Sequence, residues 1–556
     1  MGPVDTFIKF EQAADAAARE LVQGKPLRSV MTLLHLGSYA LSQCWGDVIE
    51  PAERVRGGGG VERLGYLLPL VKYADTEFKG ASSFDSLFAF GEKDEQIRAL
   101  NLLYGYAEFC QVAPFAHRGA YRVEGDSDTM KFAFRSASFA DAEVKDILMS
   151  TLFQPITVHD GDFARDWFDV QAPRLPTVDL AGNYVIQQKL TEWFIDHTYE
   201  VSPLSDAAMR ASVEVGSRTF RKFAAACMAL GQYHMSMADA ISRRIDQDPA
   251  YGASEEAFAE QLEWISPCYA GEFVRNQIAW LARLERADVD RLMQVYSTSG
   301  GSQEKRGEGF FPPFVQSGNT CTFSPLTIRH MLSSRNVLYS LAKDNKERFD
   351  DVISAHLEPQ LVEQAVNHLC RLRDVEIRRN VQWEQGEIDI LVYRKSENVA
   401  LVVEAKGAVA PDGARMVYHV QSRIKDGINQ LRKFDALSPD ERDGILGRAL
   451  GRQVRDVRCV KAVLAWASFG TEEVWEQFTD IAPLNIALLA ELVRRDLTRE
   501  LDRLVNDTHV LIDEIVISAE GHWKPTERTI GSLTFERPSF KFNEDALAKY
   551  RTAQHL

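Results

Sequence analysis

Along residues 1–296, apolar side chains recur at helical spacing. In 204–244 (LSDAAMRASVEVGSRTFRKFAAACMALGQYHMSMADAISRRI) and 273–296 (FVRNQIAWLARLERADVDRLMQVY) they fall near i, i+3, i+4 and i+7, the stripe of a helix with one buried face. No fixed-period repeat is evident, so the pattern predicts a large, mostly α-helical region of one or two subdomains rather than a solenoid. Gly57–Gly60 follow Arg56 with no Lys-Ser/Thr behind them, which reads as a turn and not a phosphate loop. Residues 297–324 are rich in Gly, Ser and Pro and mark a boundary or a functional loop carrying Phe310, Phe311 and Phe314. A connecting helix over 326–345 completes a 297–350 segment.

From residue 351 the texture changes. A helical pattern (HLEPQLVEQAVNHLCRL, 356–372) precedes two apolar runs, VQWEQGEIDILVY and VALVVEAKG. A second helical pattern (421–437), an apolar run (457–468) and a strand-then-helix pattern (483–497) follow. This order predicts an α/β sheet domain over 351–500. Residues 501–556 form a C-terminal extension.

The polar turn 394–399 lies between the two apolar runs. Closed symmetrically about Ser396 and Glu397, it pairs Arg394 with Val399 and Tyr393 with Ala400. Continuing the ladder sets Leu391 against Val402 and Asp389 against Glu404. Directly opposed residues have Cβ atoms about 4.5–5.5 Å apart. Two carboxylates therefore meet on one face, with Lys406 two residues beyond Glu404 on the same face. Like charges so placed repel unless compensated, and a divalent cation is one compensation. The bland alternative is an exposed hairpin in which Lys406 neutralises both acids, but ALVVEAK is too apolar for a solvated strand. A register slip of one residue would separate the acids.

Ile388-Asp389 followed by Glu404-Ala405-Lys406 resembles the PD-(D/E)XK nuclease superfamily, with Ile388 where the name motif has Pro. The resemblance covers about 351–500 and none of the first 295 residues. It implies a restriction-endonuclease-like αβββαβ core with a mixed sheet, following the helical region. It also implies Mg²⁺ (or Mn²⁺) held by Asp389, Glu404, the Ala405 carbonyl and Glu363 on the preceding helix. Lys406 would act beside the attacked phosphate, and Gln430 on the following helix would support the site. Glu387, on the face of Asp389, and His419 read as a strand residue and a loop residue.

Composition refines this picture. With 45% hydrophobic and 26% charged residues the chain is globular in character. Its formal charge of −16 argues against a general basic coat, yet 351–470 holds 18 Lys+Arg against 17 Asp+Glu. Arg378, Arg379, Arg423, Lys425, Arg452, Arg455 and Arg458 are the candidate phosphate contacts there. The alternative is a salt-bridged surface. Seven dispersed cysteines without a CxxC pair disfavour a disulfide framework or thiolate zinc site. No secretory or membrane-spanning pattern is visible, which fits a cytoplasmic protein. The expectation is thus a Mg²⁺-dependent nuclease acting on DNA, suited to a bacterial defence or restriction role. A protein partner or second copy would engage the helical region. The alternatives are a non-catalytic scaffold or nucleic-acid-binding protein with a degenerate nuclease fold, and an RNA nuclease.

Overall fold

The structure, a computed structural model, describes residues 3–42, 65–75, 81–152, 156–158, 184–200, 204–299, 312–334, 336–408, 414–496, 500–543, 546–547 and 550. Gly57–Gly60, Phe310 and Phe311 lie outside them. The fold is mixed α/β, with mixed sheets and many helices. No helix of the described residues is long and apolar enough to cross a membrane.

The N-terminal part opens with α1 (Pro3–Val22) and continues through α2 (Lys93–His117), the hairpin β1 (Tyr121–Gly125) and β2 (Thr129–Phe134), and α3 (Ala137–Leu152). The two stretches read above as long helices are each broken. The first becomes Asp206–Val213 and α4 (Ser217–Gln247), because Glu214 takes a left-handed φ of 61° before Gly216. The second becomes Gly271–Ala282 and Arg286–Val295, separated at Arg283 with φ 51°. A non-glycine residue in this conformation ends the helix rather than continuing it. Within the expected 297–350 connection, Phe314–Ser317 and Thr320–Phe323 form a hairpin that pairs with Ser297–Ser299 and Cys268–Ala270. Phe314 and Phe323 are fully buried, so this part of the segment is packed core.

The sheet domain follows the order α5 (Glu358–Leu369), β3 (Val375–Trp383), β4 (Gly386–Arg394), β5 (Val399–Lys406), α6 (Ala414–Asp435), α7 (Pro439–Leu450), β6 (Arg458–Ala465), β7 (Ile481–Asn485) and α8 (Ile486–Arg494). The five strands lie side by side as β7-β6-β5-β4-β3. β3, β4 and β5 form an antiparallel meander, while β5, β6 and β7 run parallel. The continuous apolar run of β5 explains its central place: every residue but Lys406 is buried, as covering both faces requires. α6 packs on β5, and α5 reaches β4 and β5.

The register of β4 and β5 is the symmetric one, with Arg394 on Val399, Tyr393 on Ala400 and Leu391 on Val402. Its turn is pinned. Asn398 sits at φ 54°, a conformation Asn tolerates. Its Nδ2 donates to the carbonyls of Arg455 and Asp456, each at 3.0 Å, and Tyr393 Oη donates to its Oδ1 at 3.0 Å.

The C-terminal segment is structural too. After α9 (Leu504–Ala519), the strands β8 (His522–Ile530) and β9 (Leu533–Lys541) form a hairpin that enters the N-terminal sheet in the order β1-β2-β9-β8. β9 runs parallel to β2 from Thr534 opposite Thr129 to Glu536 opposite Lys131. Phe535 meets Phe109 and Phe132 edge-on at this sheet, and those two rings are tilted against each other. Fully buried Glu108 on α2 accepts from Arg528 Nε at 2.8 Å and Arg537 Nε at 2.9 Å. A side chain at Gly105, one turn earlier, would lie 1.9 Å from the Thr529 carbonyl oxygen. Only glycine permits that approach.

α3 presents two acids to the sheet domain. Burial, opposed by donors from Ser468, Phe469 and Gly470, pushes Asp146 up to about 6. Burial and then the neighbouring Asp146 push Glu143 up to about 8, and its Oε1 is enclosed without a hydrogen-bond partner among the described residues. A carboxyl whose folded pKa exceeds its unfolded value favours the fold while protonated. That contribution is complete below about 4.5 and lost as pH rises through about 8. Glu143→Gln, which cannot ionise, is therefore expected to melt at a higher temperature than the wild type at pH 8.5. The difference should shrink towards zero at pH 5 in thermal scans across that range.

Candidate functional site

The site forms at the end of β5, where three carboxyl groups surround one ammonium. Ladder pairing of β4 with β5 is recorded as far as Ile390 opposite Val403. The next position sets Asp389 against Glu404. On the other side of Asp389, Asn380 of β3 takes φ 54°, which interrupts the ladder there. Asp389 Oδ2 instead accepts from the Ala405 N–H at 2.7 Å, so the acid is held across the strand end. Glu404 is only 2% exposed, and Lys406 Nζ donates to its Oε2 at 3.2 Å.

The third acid is Glu358, the first residue of α5. Its Oε1 accepts from the Gly407 N–H at 3.2 Å, and Lys406 and Asp389 both act on it electrostatically. The expectation of Glu363 in this role is corrected. Glu363 is exposed; five residues at 100° each carry it about 140° round the helix from Glu358. Glu358 follows directly on a π-helical turn, Ile353–Leu357, and precedes Pro359. The sequence signal was that Glu-Pro pair: a proline inside a helical run withholds an N–H from the ladder and marks the irregular turn that Glu358 follows.

α6 closes the site from above. A Cβ at Gly427 would lie 3.0 Å from Lys406 Cε and 3.7 Å from Glu404 Cβ. The helix therefore rests on these two side chains at a glycine. Gln430 lies three residues on, on the same face. Its Oε1 is buried without a hydrogen-bond partner among the described residues. His419 is half-buried earlier on α6, and burial and then Arg423 hold it below its ordinary value. Glu387 stays on the face of Asp389 and adds negative charge to it and to Glu404.

Electrostatics show how unbalanced the arrangement is. Burial, then Asp389, push Glu404 up to about 8, and Lys406 opposes this. Burial also raises Asp389 and Glu358, against donors from Ala405 and Gly407 and against Lys406. With all three acids ionised, one ammonium faces three negative charges. Proton uptake or a divalent cation relieves the excess. Among the described residues no three Asp, Glu, His or Cys side chains stand ready as a cation cage; Asp389 and Glu358 each give one oxygen to a backbone N–H group. The donor chemistry nonetheless suits a hard cation: one buried and two partly buried carboxyl groups, no thiolate or imidazole among them, and the orphaned Gln430 oxygen nearby.

The expected phosphate contacts divide by position. Arg379 pairs with Ile390 across β3 and β4, next to Asp389. Arg423 precedes Gly427 by one turn of α6 and pairs with Asp350 at 3.7 Å. Lys425 pairs with Glu473. Arg458 opposes Val399 while Lys406 opposes Ala465, so Arg458 sits at the other end of the sheet, about 23 Å away at 3.3 Å per residue. Arg455 lies there too, at the Asn398 turn. Arg452 is paired with Glu376 at 2.6 Å, Arg378 with Glu376 at 3.5 Å and Arg458 with Asp502 at 3.0 Å. The expected basic surface is thus largely an interleaved set of ion pairs. Of the seven, Arg379 and Arg455 carry no ion pair among the described residues.

No family model matches the chain, and neither a curated protein nor a solved structure matches it significantly.

Gly427→Ala tests the contact between α6 and the site. Alanine is the better helix former by up to about 1 kcal/mol, so denaturation should show stability kept or slightly raised. The added methyl group should displace the Lys406 ammonium from Glu404. With less opposing charge, the Glu404 carboxyl should titrate at higher pH than in the wild type, as followed by carboxyl-carbon NMR.

Proposed function

We propose that the chain is a metal-dependent nuclease of the PD-(D/E)XK kind, with a restriction-endonuclease-like core over about 351–500. The observation that carries this reading is the meeting of Asp389, Glu404, Lys406 and Glu358 at one strand end, three carboxyl groups to one amine. The strand order β7-β6-β5-β4-β3 and the meander-then-parallel pairing support it. Asp389 and Glu404, with Glu358 in place of Glu363, are the residues that would hold Mg²⁺ or Mn²⁺. Once bound, such a cation polarises a phosphoryl oxygen and lowers the pKa of a coordinated water.

This chain's own groups supply the rest. Lys406 neutralises charge at the attacked phosphate and keeps Glu404 oriented. The Ala405 N–H fixes the Asp389 carboxylate, and Gln430 offers a buried oxygen to a water or a phosphate-bound group. DNA is the proposed substrate, with Arg379 and Arg423 the basic side chains placed to meet its backbone. A restriction or defence role rests on fold-level analogy. A scaffold with a degenerate nuclease fold is the second reading, favoured by the ion pairing of most candidate phosphate contacts.

Purified protein incubated with plasmid DNA, single-stranded DNA and RNA in Mg²⁺ or Mn²⁺ decides between them. Cleavage should fall by about 10³-fold or more in Asp389→Ala and Lys406→Ala, and by about 10²-fold in Glu358→Gln. Glu363→Gln should cut like the wild type. Undiminished cleavage by Asp389→Ala and Lys406→Ala removes the site, and preferential RNA cleavage reassigns the substrate. Absence of cleavage with any substrate leaves the scaffold.

A further inference from the structure

The loop after β6 is gripped by the N-terminal part. Asp146 of α3, 6% exposed, accepts from Ser468 Oγ at 2.6 Å, Phe469 N at 2.7 Å and Gly470 N at 3.0 Å. Three donors on one buried carboxylate make a strong, directional anchor. Two further groups of bonds reinforce it. Arg135 and Ser136 bind the Glu472 carboxylate, and Asn485 Nδ2 bridges the carbonyls of Ala467 at 3.0 Å and Met149 at 3.3 Å.

The same loop is locked to α6. A Cβ at Gly470 would lie 2.8 Å from Gln421 Cβ. Buried Gln421 accepts from the Thr471 N–H at 3.3 Å and donates to Glu473 Oε2 at 3.0 Å. Lys425, one turn on, also pairs with Glu473. Half a turn further, Gly427 presses on Lys406 and Glu404. The loop also continues β6, whose Ala465 lies beside Lys406. Contacts therefore join α3 through residues 468–473 to Gln421, and the body of α6 carries the connection on to Gly427 and the two charged groups.

We infer that Asp146 is a positioning residue of the candidate site: by fixing residues 468–470 it sets α6 against Glu404 and Lys406, so the N-terminal part controls the geometry of the site. Its role in cleavage rests on the nuclease reading; its mechanical role does not. The N-terminal part is then a lever. A ligand or partner that shifts α3 shifts α6 with it, and the site opens or closes without being touched.

Hydrogen exchange on the full-length chain, read by mass spectrometry, tests the mechanical role directly. In Asp146→Ala, amide exchange should rise about tenfold in residues 466–473 and in 421–430, while 399–405 stays protected. Asp146→Asn keeps an acceptor for the two peptide N–H groups and should restore most of the protection. Gln421→Ala cuts the second link, so 421–430 should loosen while 468–470 stays protected. Should Asp146→Ala fail to fold, Ser468→Ala and Gln421→Ala carry the same test. Calorimetric titration with Mn²⁺ gives a second readout, in which affinity falls in Asp146→Ala and recovers in Asp146→Asn. Unchanged exchange in 421–430 in both the loop-side and Gln421 variants overturns the inference. A wild type that binds no Mn²⁺ overturns the metal reading alone, because the exchange result is read without metal.

Discussion

One lysine faces three acids at the end of the central strand, Glu404 buried and Asp389 and Glu358 partly so, and the surrounding architecture follows from keeping them there. Charged groups do not leave water for a protein interior without partners. Here the partners are deliberate. One acid takes a peptide N–H from its neighbouring strand, another takes one from the residue just past Lys406, and the third shares the ammonium. A glycine on α6 lets a helix cover the group without expelling the lysine. Each contact is made by a different element, so the cluster exists only when β4, β5, α5 and α6 are assembled together. Its electrostatic strain is retained at a place where a purely structural core would have used leucine or valine, which is the usual mark of a chemical rather than a packing role.

The sheet core was legible in sequence because local signals and long-range pairing agree there. A polar turn between two apolar runs defines a hairpin, and its symmetric closure gives the observed register. Burial on both faces of β5 could be read from VALVVEAK, since no alternation interrupts it. Glu358 was not legible by the same means. The helical pattern shows which residues of 356–372 face the core, but not which turn of the helix stands against the strand end, and Glu363 was the more conspicuous acid. The ion pairs escaped for a different reason. Arg458 finds Asp502 and Lys425 finds Glu473, each more than forty positions away, and no periodicity announces such partners. The helix breaks at Glu214 and Arg283 occur at residues with no turn propensity of their own; each is closed locally, the Glu214 N–H donating to the Arg210 carbonyl and the Arg283 and Leu284 N–H groups to those of Trp280 and Ala279.

The charge balance of the sheet region gains meaning from these pairs. Near-neutrality over 351–470 suggested a surface ready for a polyanion. The cations are instead mostly committed to nearby carboxylates, and Arg452, Arg455 and Arg458 lie at the far end of the sheet. A phosphate backbone would have to compete with those carboxylates for Arg423 and Lys425. Binding built on exchangeable pairs is weak and salt-sensitive in general, and it discriminates against polyanions that cannot also reach the strand-end cluster.

The pairing of β2 with β9 has a consequence in time. Residues 121–134 are synthesised about 400 positions before the strand that completes their sheet, an interval of roughly 20–80 s at ordinary elongation rates. Until then the aromatic side chains under that sheet lack Phe535, and Glu108 lacks both arginines. The sheet domain lies wholly within the interval and can fold first, as an insertion inside a host not yet finished. Since α3 belongs to that host, the nascent sheet domain would be complete in itself yet unsupported on one side. The hairpin β8–β9 thereby closes a sheet whose other two strands were made long before it.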